Sequence, residues 1–514
     1  MKGITRIGAA RPPWEWQNRA WPHVGVATVP GSDLLRPTAA VLGGSACALA
    51  AALALRVVVA RTFPPSELGL LLAAVALVSW AGGTASLGLN AAIARHAAER
   101  RAAGEERRAR SVAGTGVRTA AISGALTAAL LAAGSWLLAG RSSEVGWLSL
   151  VPPLAAVGLS LAVGLAVVGA SRAFGDVTAR AVIRDAGGGL LRLLAVGGAA
   201  VAGGSLVALG AAYAAATVAA EAAALGWGAR RGWFDLGSPG APETSRLREL
   251  APYAWLELLN QTALWADLVL LGALAAPEEV GLFAVARALA RALQTVQYAV
   301  AHAYLPAVAA AWRTAGAAGL AEIYVRARRL SFALLWPGVA LCLVAPAPIL
   351  GLLFGPDYEP AGDALRLLAV GLGIDAVAGA RELPLQAVGA ARTAARCGTA
   401  AVLVGLGAML VLAPAGGATG AAVAVTSMSL VRAVLTAGAL RRLAGVSLLG
   451  HDLTAPIVQT LAATALVGAA AAAIGLSTLV TASLVGATAL TGSVVILHGA
   501  RRAAADQTGR STER

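Results

Sequence analysis

The chain has 514 residues, of which 58% are hydrophobic and 13% charged, and its mean hydropathy is +0.74. Soluble domains run at roughly 45–50% apolar and about 25% charged, so a soluble enzyme, a secreted disulfide scaffold and a disordered chain are all excluded. What remains is an all-α, polytopic membrane protein. The net charge of +14 comes from 40 basic and 26 acidic residues, and Lys2 is the only lysine. Cys47, Cys342 and Cys397 lie in apolar stretches without CxxC spacing, so they are read as small core residues with no disulfide or metal role.

A membrane helix needs roughly 20 apolar residues, because a rise of about 1.5 Å per residue must cross about 30 Å. Residues 1–37 form an N-terminal tail with no apolar run, which predicts no signal peptide. Trp14, Trp16 and Trp21 in this tail suit either the lipid interface or a mobile segment. Spans are predicted at 38–60, 68–94, 112–139, 147–170, 185–203 and 205–228, giving a first six-helix bundle over 38–228. A polar linker, 229–248, carries Gly237-Ser238-Pro239-Gly240. Six further spans follow at 249–274, 279–306, 330–353, 361–389, 395–414 and 418–440, making a second bundle over 249–445. Two appended helices, 454–474 and 476–499, occupy 446–500, and 501–514 is a tail.

The basic residues fix an expected orientation. With the N-terminus cytoplasmic, thirty of them fall in inner segments and only Arg61 and Arg141 in outer loops. Both termini are then cytoplasmic in a cell-membrane protein. The pI near 11.0 is explained by topology determinants beside anionic lipid, without nucleic acid.

A motif recurs. Pro65-Ser66-Glu67-Leu68-Gly69-Leu70 follows the first span, and Pro277-Glu278-Glu279-Val280-Gly281-Leu282 follows the seventh. Proline in a first turn loses no hydrogen bond, and glutamate suits a helix N-terminus. Recurrence six spans apart predicts two halves in the same orientation.

A charge near mid-bilayer costs at least about 2.5–3.5 kcal/mol, so such residues tend to face a cavity or a partner. On the span 279–306, Arg287, Arg291, Gln294, Tyr298 and His302 fall within about 80° of arc. Two arginines four apart present forked donors that suit a diphosphate; pairing with neighbouring carboxylates is the structural alternative. On the preceding span, Glu257, Asn260 and Gln261 form one polar patch, with Asp267 about 80° away. Glu257 is a candidate for ion coupling or for an ion pair with Arg287 or Arg291. Arg56 either completes a cationic cavity or snorkels outward. Asp185 with Arg192, and Asp375 with Glu382, share helix faces; Arg118, Glu221, Arg366 and Arg432 are expected to pair with neighbouring helices.

Three stretches now reach a family. Arg61-Thr62-Phe63-Pro64-Pro65-Ser66-Glu67-Leu68-Gly69 is followed by Ser86-Leu87-Gly88-Leu89. Asp267-Leu268-Val269-Leu270-Leu271-Gly272 is followed by Pro277 to Ala284. Leu353-Phe354-Gly355-Pro356-Asp357-Tyr358 is followed by Leu365-Arg366-Leu367-Leu368-Ala369. Over roughly 38–445 the chain resembles the multidrug/oligosaccharidyl-lipid/polysaccharide exporter superfamily, in its Wzx-like polysaccharide flippase branch. The resemblance implies two six-helix bundles around a cavity lined by helices 1, 2, 7 and 8, alternating access, and a polyprenyl-diphosphate-linked glycan as cargo. It places Asp267 and Gly272 at the D-x-x-h-h-G position, as residues of the family motif rather than cargo contacts.

The leading expectation is a secondary transporter flipping a lipid-linked oligosaccharide across the cytoplasmic membrane. The alternatives are a lipid II flippase or a multidrug–cation antiporter of the same superfamily; more remote are a membrane glycan polymerase or ligase, and a scaffold. The antiporter's often cationic cargo would be repelled by Arg287 and Arg291, and the enzyme would need more than the few residues of each outer loop. No Walker A, HExxH or GxSxG sequence and no metal-ligand cluster occurs, so neither catalysis nor a cofactor is expected. The partners expected are membrane lipid, the lipid-linked glycan and proteins of glycan assembly.

Overall fold

Long apolar runs leave the backbone no bonding partner but itself, and helices are the answer available to one segment alone. The computed structural model describes residues 31–139, 146–176, 179–237, 245–379, 384–385, 388–444 and 451–512. Among them there is no strand, and fourteen α-helices occur. In chain order these are α1 (Gly31–Thr62), α2 (Pro65–Ala85), α3 (Leu89–Ala102), α4 (Glu106–Ala139), α5 (Val151–Ala173), α6 (Gly188–Val201) and α7 (Leu206–Arg230). There follow α8 (Ser245–Leu274), α9 (Pro277–Val344), α10 (Pro346–Phe354), α11 (Gly362–Ala378), α12 (Ala391–Ala444), α13 (His451–Ala473) and α14 (Thr478–Thr512). A π-helix, Ala179–Gly187, leads into α6. The chain is a multi-pass membrane protein: eight of its described helical segments are long and apolar enough to cross a bilayer.

Helices and spans do not correspond one to one. The span predicted as 68–94 is broken between α2 and α3, where Leu87 and Gly88 both adopt positive φ, 52° and 68°. Two spans run together in α9 and two in α12, each reversing at a glycine: Gly316 (φ 58°) and Gly417 (φ 50°). The reversals are real turns, because Gly319 lies against the Ala311 carbonyl and Gly420 against that of Leu412. Eight residues of straight helix would hold those groups about 12 Å apart. The Glu279 carboxylate accepts the Ala418 N–H at 2.7 Å, just past the second reversal, so this motif acid anchors α12.

Met1–Ala39 and Ala40–Arg514 are two separate compact units. In the first, residues 31–39 begin α1; Trp14, Trp16 and Trp21 lie outside the described residues. In the second, α2 packs on α5 within its own half and on α8 and α9 of the other, while α14 packs on α9 and α13.

The seam between the halves is where the repeated motif meets itself. A Cβ on Gly69 would overlap the Pro277 carbonyl, and one on Gly281 would overlap the Pro65 carbonyl. Each motif glycine thus admits the other motif's proline turn. Around it, Trp147 Nε1 donates to the Gly272 carbonyl at 2.7 Å. The Tyr358 hydroxyl donates to the Phe63 carbonyl at 3.0 Å, and Arg61 donates to the carbonyls of Leu352 and Leu353 at the end of α10. Gly355, with φ 114°, makes the turn that brings Tyr358 inward. Tyr358→Phe is expected to lower stability by about 1 kcal/mol, the net worth of one such bond; an unchanged thermal midpoint of the purified variant would mean that the bond contributes nothing.

At the opposite end, Arg95 bridges Glu99 at 2.8 Å and the Tyr253 hydroxyl at 3.2 Å. Arg100 and Arg108 bracket Glu105 and hold its exposed carboxyl below the ordinary value. That pairing is complete above the carboxylate range and is lost as pH falls through it.

Candidate functional site

Among the described residues, two largely apolar cavities carry charged side chains in their walls. The larger, about 640 Å³, lies within the second half between α8, α9, α11 and α12. Asn260, Asp267, Arg287, Arg291, Gln294, Asp375 and Arg432 line it. The smaller, about 330 Å³, is walled by α1, α2, α5, the π-helix, α6 and α7, and is closed by α8 and α9. Its charged lining is Arg56, Arg184, Arg192 and Arg287 against Asp185 and Glu221. Arg287 lines both cavities.

Arg287, 5% exposed, grips Asp267 with two hydrogen bonds and also donates to the Leu264 carbonyl. Arg291, one turn on, donates to the same carbonyl at 2.7 Å. A buried charge is tolerated when it is paired and hydrogen-bonded, and Asp267 performs that task. Across the larger cavity Asp375 accepts from Arg432 at 3.2 Å and Ser429 at 3.3 Å.

The smaller cavity is less neutralised. Arg56 donates only to the Ala52 carbonyl one turn back, at 3.3 Å. Arg192 makes no hydrogen bond or ion pair among the described residues. Arg184 reaches Glu221 through Nε at 2.7 Å. The wide turns of the π-helix put Arg180 opposite Asp185, 3.7 Å apart. With Arg287 held by Asp267 and Arg184 by Glu221, Arg56 and Arg192 are the lining guanidiniums with no carboxylate partner among the described residues.

The polysaccharide biosynthesis protein family matches residues 38–312, more than half of the chain. The chain belongs to this family. No curated protein sequence matches it. Among solved structures, the family member is similar to the lipid II flippase MurJ in its inward closed conformation. Identity is 10% over 90% of this chain and 99% of that one, with a TM-score of 0.68. It is similar to a multidrug resistance MATE family transporter of the MOP superfamily in its inward-facing conformation, at 18% identity over 77% and 94% of the two chains, TM-score 0.59. It is also similar to a MOP superfamily transporter from Pyrococcus furiosus, reported for the reverse polarity of its binding pocket, at 17% identity over 81% and 98%, TM-score 0.55. The fold is the one these transporters and flippases share, as the resemblance in the motifs implies.

Within this family member, Arg287, Arg291, Gln294 and Asn260 gather at the larger cavity and Arg56 at the smaller. Tyr298 and His302 lie on α9, but their side chains fall outside the described residues, as do Arg381 and Glu382. Gln261 lines neither cavity: it is buried at the seam, its amide against Gly83 of α2, donating to Glu257 at 2.6 Å. Glu257 forms no ion pair with Arg287 or Arg291. It takes Gln261 and Asn90 instead, the latter at 3.4 Å, because Asp267 already holds Arg287. Asp185 and Arg192, which helical phase puts on one face, do not pair, since the π-helix turns Asp185 to Arg180.

Arg184, which in sequence precedes the predicted span 185–203 and falls in an inner segment, lines the smaller cavity. Nothing in the sequence marks a π-helix. The signal that was there is Glu221, a lone acid in an apolar span, which must face a cation.

Proposed function

We propose that the chain flips a polyprenyl-diphosphate-linked oligosaccharide across the cytoplasmic membrane by alternating access. The observation that carries the reading is the cluster of Arg56, Arg184 and Arg192 in the smaller cavity, beside the seam and deep in an apolar bundle, where Arg56 and Arg192 have no carboxylate partner among the described residues. Guanidiniums form charge-assisted, bidentate bonds with phosphate, and in this cavity they offset the headgroup's loss of water. The polyprenyl tail stays in lipid while the diphosphate and sugars pass. Cationic drugs find no comparable attraction there. The excess of basic residues at the α3–α4 end supports cytoplasmic termini; on that reading the seam at Gly69 and Gly281 closes the outer side. In the larger cavity, Arg291, Gln294 and Asn260 are assigned to cargo contact, and Arg287 links the two chambers.

The test is complementation of a strain lacking its own lipid-linked glycan flippases. Arg56→Ala with Arg192→Ala is expected to lower surface glycan at least about tenfold at normal protein abundance, each lost charge-assisted bond being worth about 1.5–3 kcal/mol. A double variant that clears the cytoplasmic-leaflet intermediate as fast as wild type removes the smaller cavity from the cargo path. A wild-type gene that clears none of it, where the matching glycan is made, ends the flippase reading.

A further inference from the structure

Glu221 plays no part in the function proposed above, yet it is the most deeply buried charge in the smaller cavity, 4% exposed on α7. Its Oε1 accepts from Arg184 Nε at 2.7 Å. Its Oε2 is buried and accepts no hydrogen bond among the described residues. Room for that oxygen is made by Gly164 of α5, where any Cβ would overlap the carboxylate. The other charged groups lining the chamber are Arg56 from α1, Asp185 beside Arg184, Arg192 from α6 and Arg287 from α9; the lining residues of α2 and α5 carry no charge. Arg184 itself is spent on one edge only: its Nη groups make no hydrogen bond among the described residues, and its side chain keeps 19% exposure toward the chamber.

The neighbouring pair of Arg287 with Asp267 is bidentate, with both carboxylate oxygens engaged. That of Arg184 with Glu221 is half made on both sides, and its guanidinium faces the space a headgroup would enter. We propose that Glu221 is a built-in competitor of the anionic headgroup. It neutralises Arg184 while the chamber is empty, gives way to an entering phosphate, and returns to Arg184 when the phosphate leaves. The inference rests on the reading that this chamber receives a diphosphate, and it makes Glu221 an affinity-setting residue. If the pair is closed about nine-tenths of the time, headgroup affinity is lowered about tenfold relative to a chamber without the competitor.

Binding of farnesyl diphosphate to the purified full-length protein, measured by calorimetry with farnesol as the uncharged control, tests this. Glu221→Gln keeps the shape and is expected to bind about tenfold tighter than wild type, and adding Arg184→Ala is expected to abolish the gain. Glu221→Asp, which keeps the charge but shortens the reach, is expected to fall between and carries the test should Glu221→Gln fail to fold. Wild type that binds while Glu221→Gln binds equally or more weakly overturns the competitor role and makes Glu221 a positioning residue for Arg184. Failure of both proteins to bind the diphosphate overturns the inference together with the reading beneath it.

Discussion

Asp267→Ala is expected to cost about 3–5 kcal/mol of folded stability, the typical loss when one partner of a buried ion pair is removed. Arg287 is almost wholly enclosed, and its remaining acceptor, the Leu264 carbonyl, is shared with Arg291. Without the carboxylate a full charge stays in an apolar bundle with one neutral oxygen to answer it. Asp267→Asn keeps an acceptor and the shape and should lose less. Replacing both partners by leucine removes the charge with its partner and should lose least. The measurement is the thermal midpoint of the detergent-solubilised variants beside their expression level. A wild-type midpoint for Asp267→Ala would show that the carbonyl alone satisfies Arg287. The same logic warns against reading Arg287→Ala as a cargo mutation, since it strands Asp267.

Gly69→Ala is expected to cost about 2–3 kcal/mol, at the upper end for overpacking, because the added carbon meets a backbone carbonyl rather than a side chain able to swing away. Gly281→Ala strikes the symmetric carbonyl and should cost as much. The double variant should cost less than the sum, because once the helices are pushed apart both clashes are relieved together. Gly134→Ala is the control: it lies on α4 with open space around it and should gain up to about 1 kcal/mol in helix propensity. If all four variants melt alike, the helices at the seam are not held at contact distance.

The helical spans were legible in the sequence because about twenty apolar residues in a row have one solution in lipid. The repeated motif was legible too, though not that its two copies touch. What stayed hidden were matters of facing. Hydropathy located Arg184 next to a span, but only the π-helix decides that it enters a cavity. Helical phase grouped Glu257 and Gln261, and α2 with α3 decides that they meet the seam instead of either cavity. Cavity walls drawn from six or more elements depend on which helix sits beside which, and a single helix does not carry that information.

The reciprocal fit of Gly69 on the Pro277 turn and of Gly281 on the Pro65 turn is the kind of contact two identical subunits make about a twofold axis. The chain therefore carries, inside one polypeptide, an interface of the homodimeric type. Its two faces are encoded far apart but are not independent: a bulkier residue accepted in one copy of the motif needs a compensating change in the other. The prolines and glycines of the two motifs are bound to vary as a pair, as residues across a dimer's axis do, although each sits on its own helix in its own half.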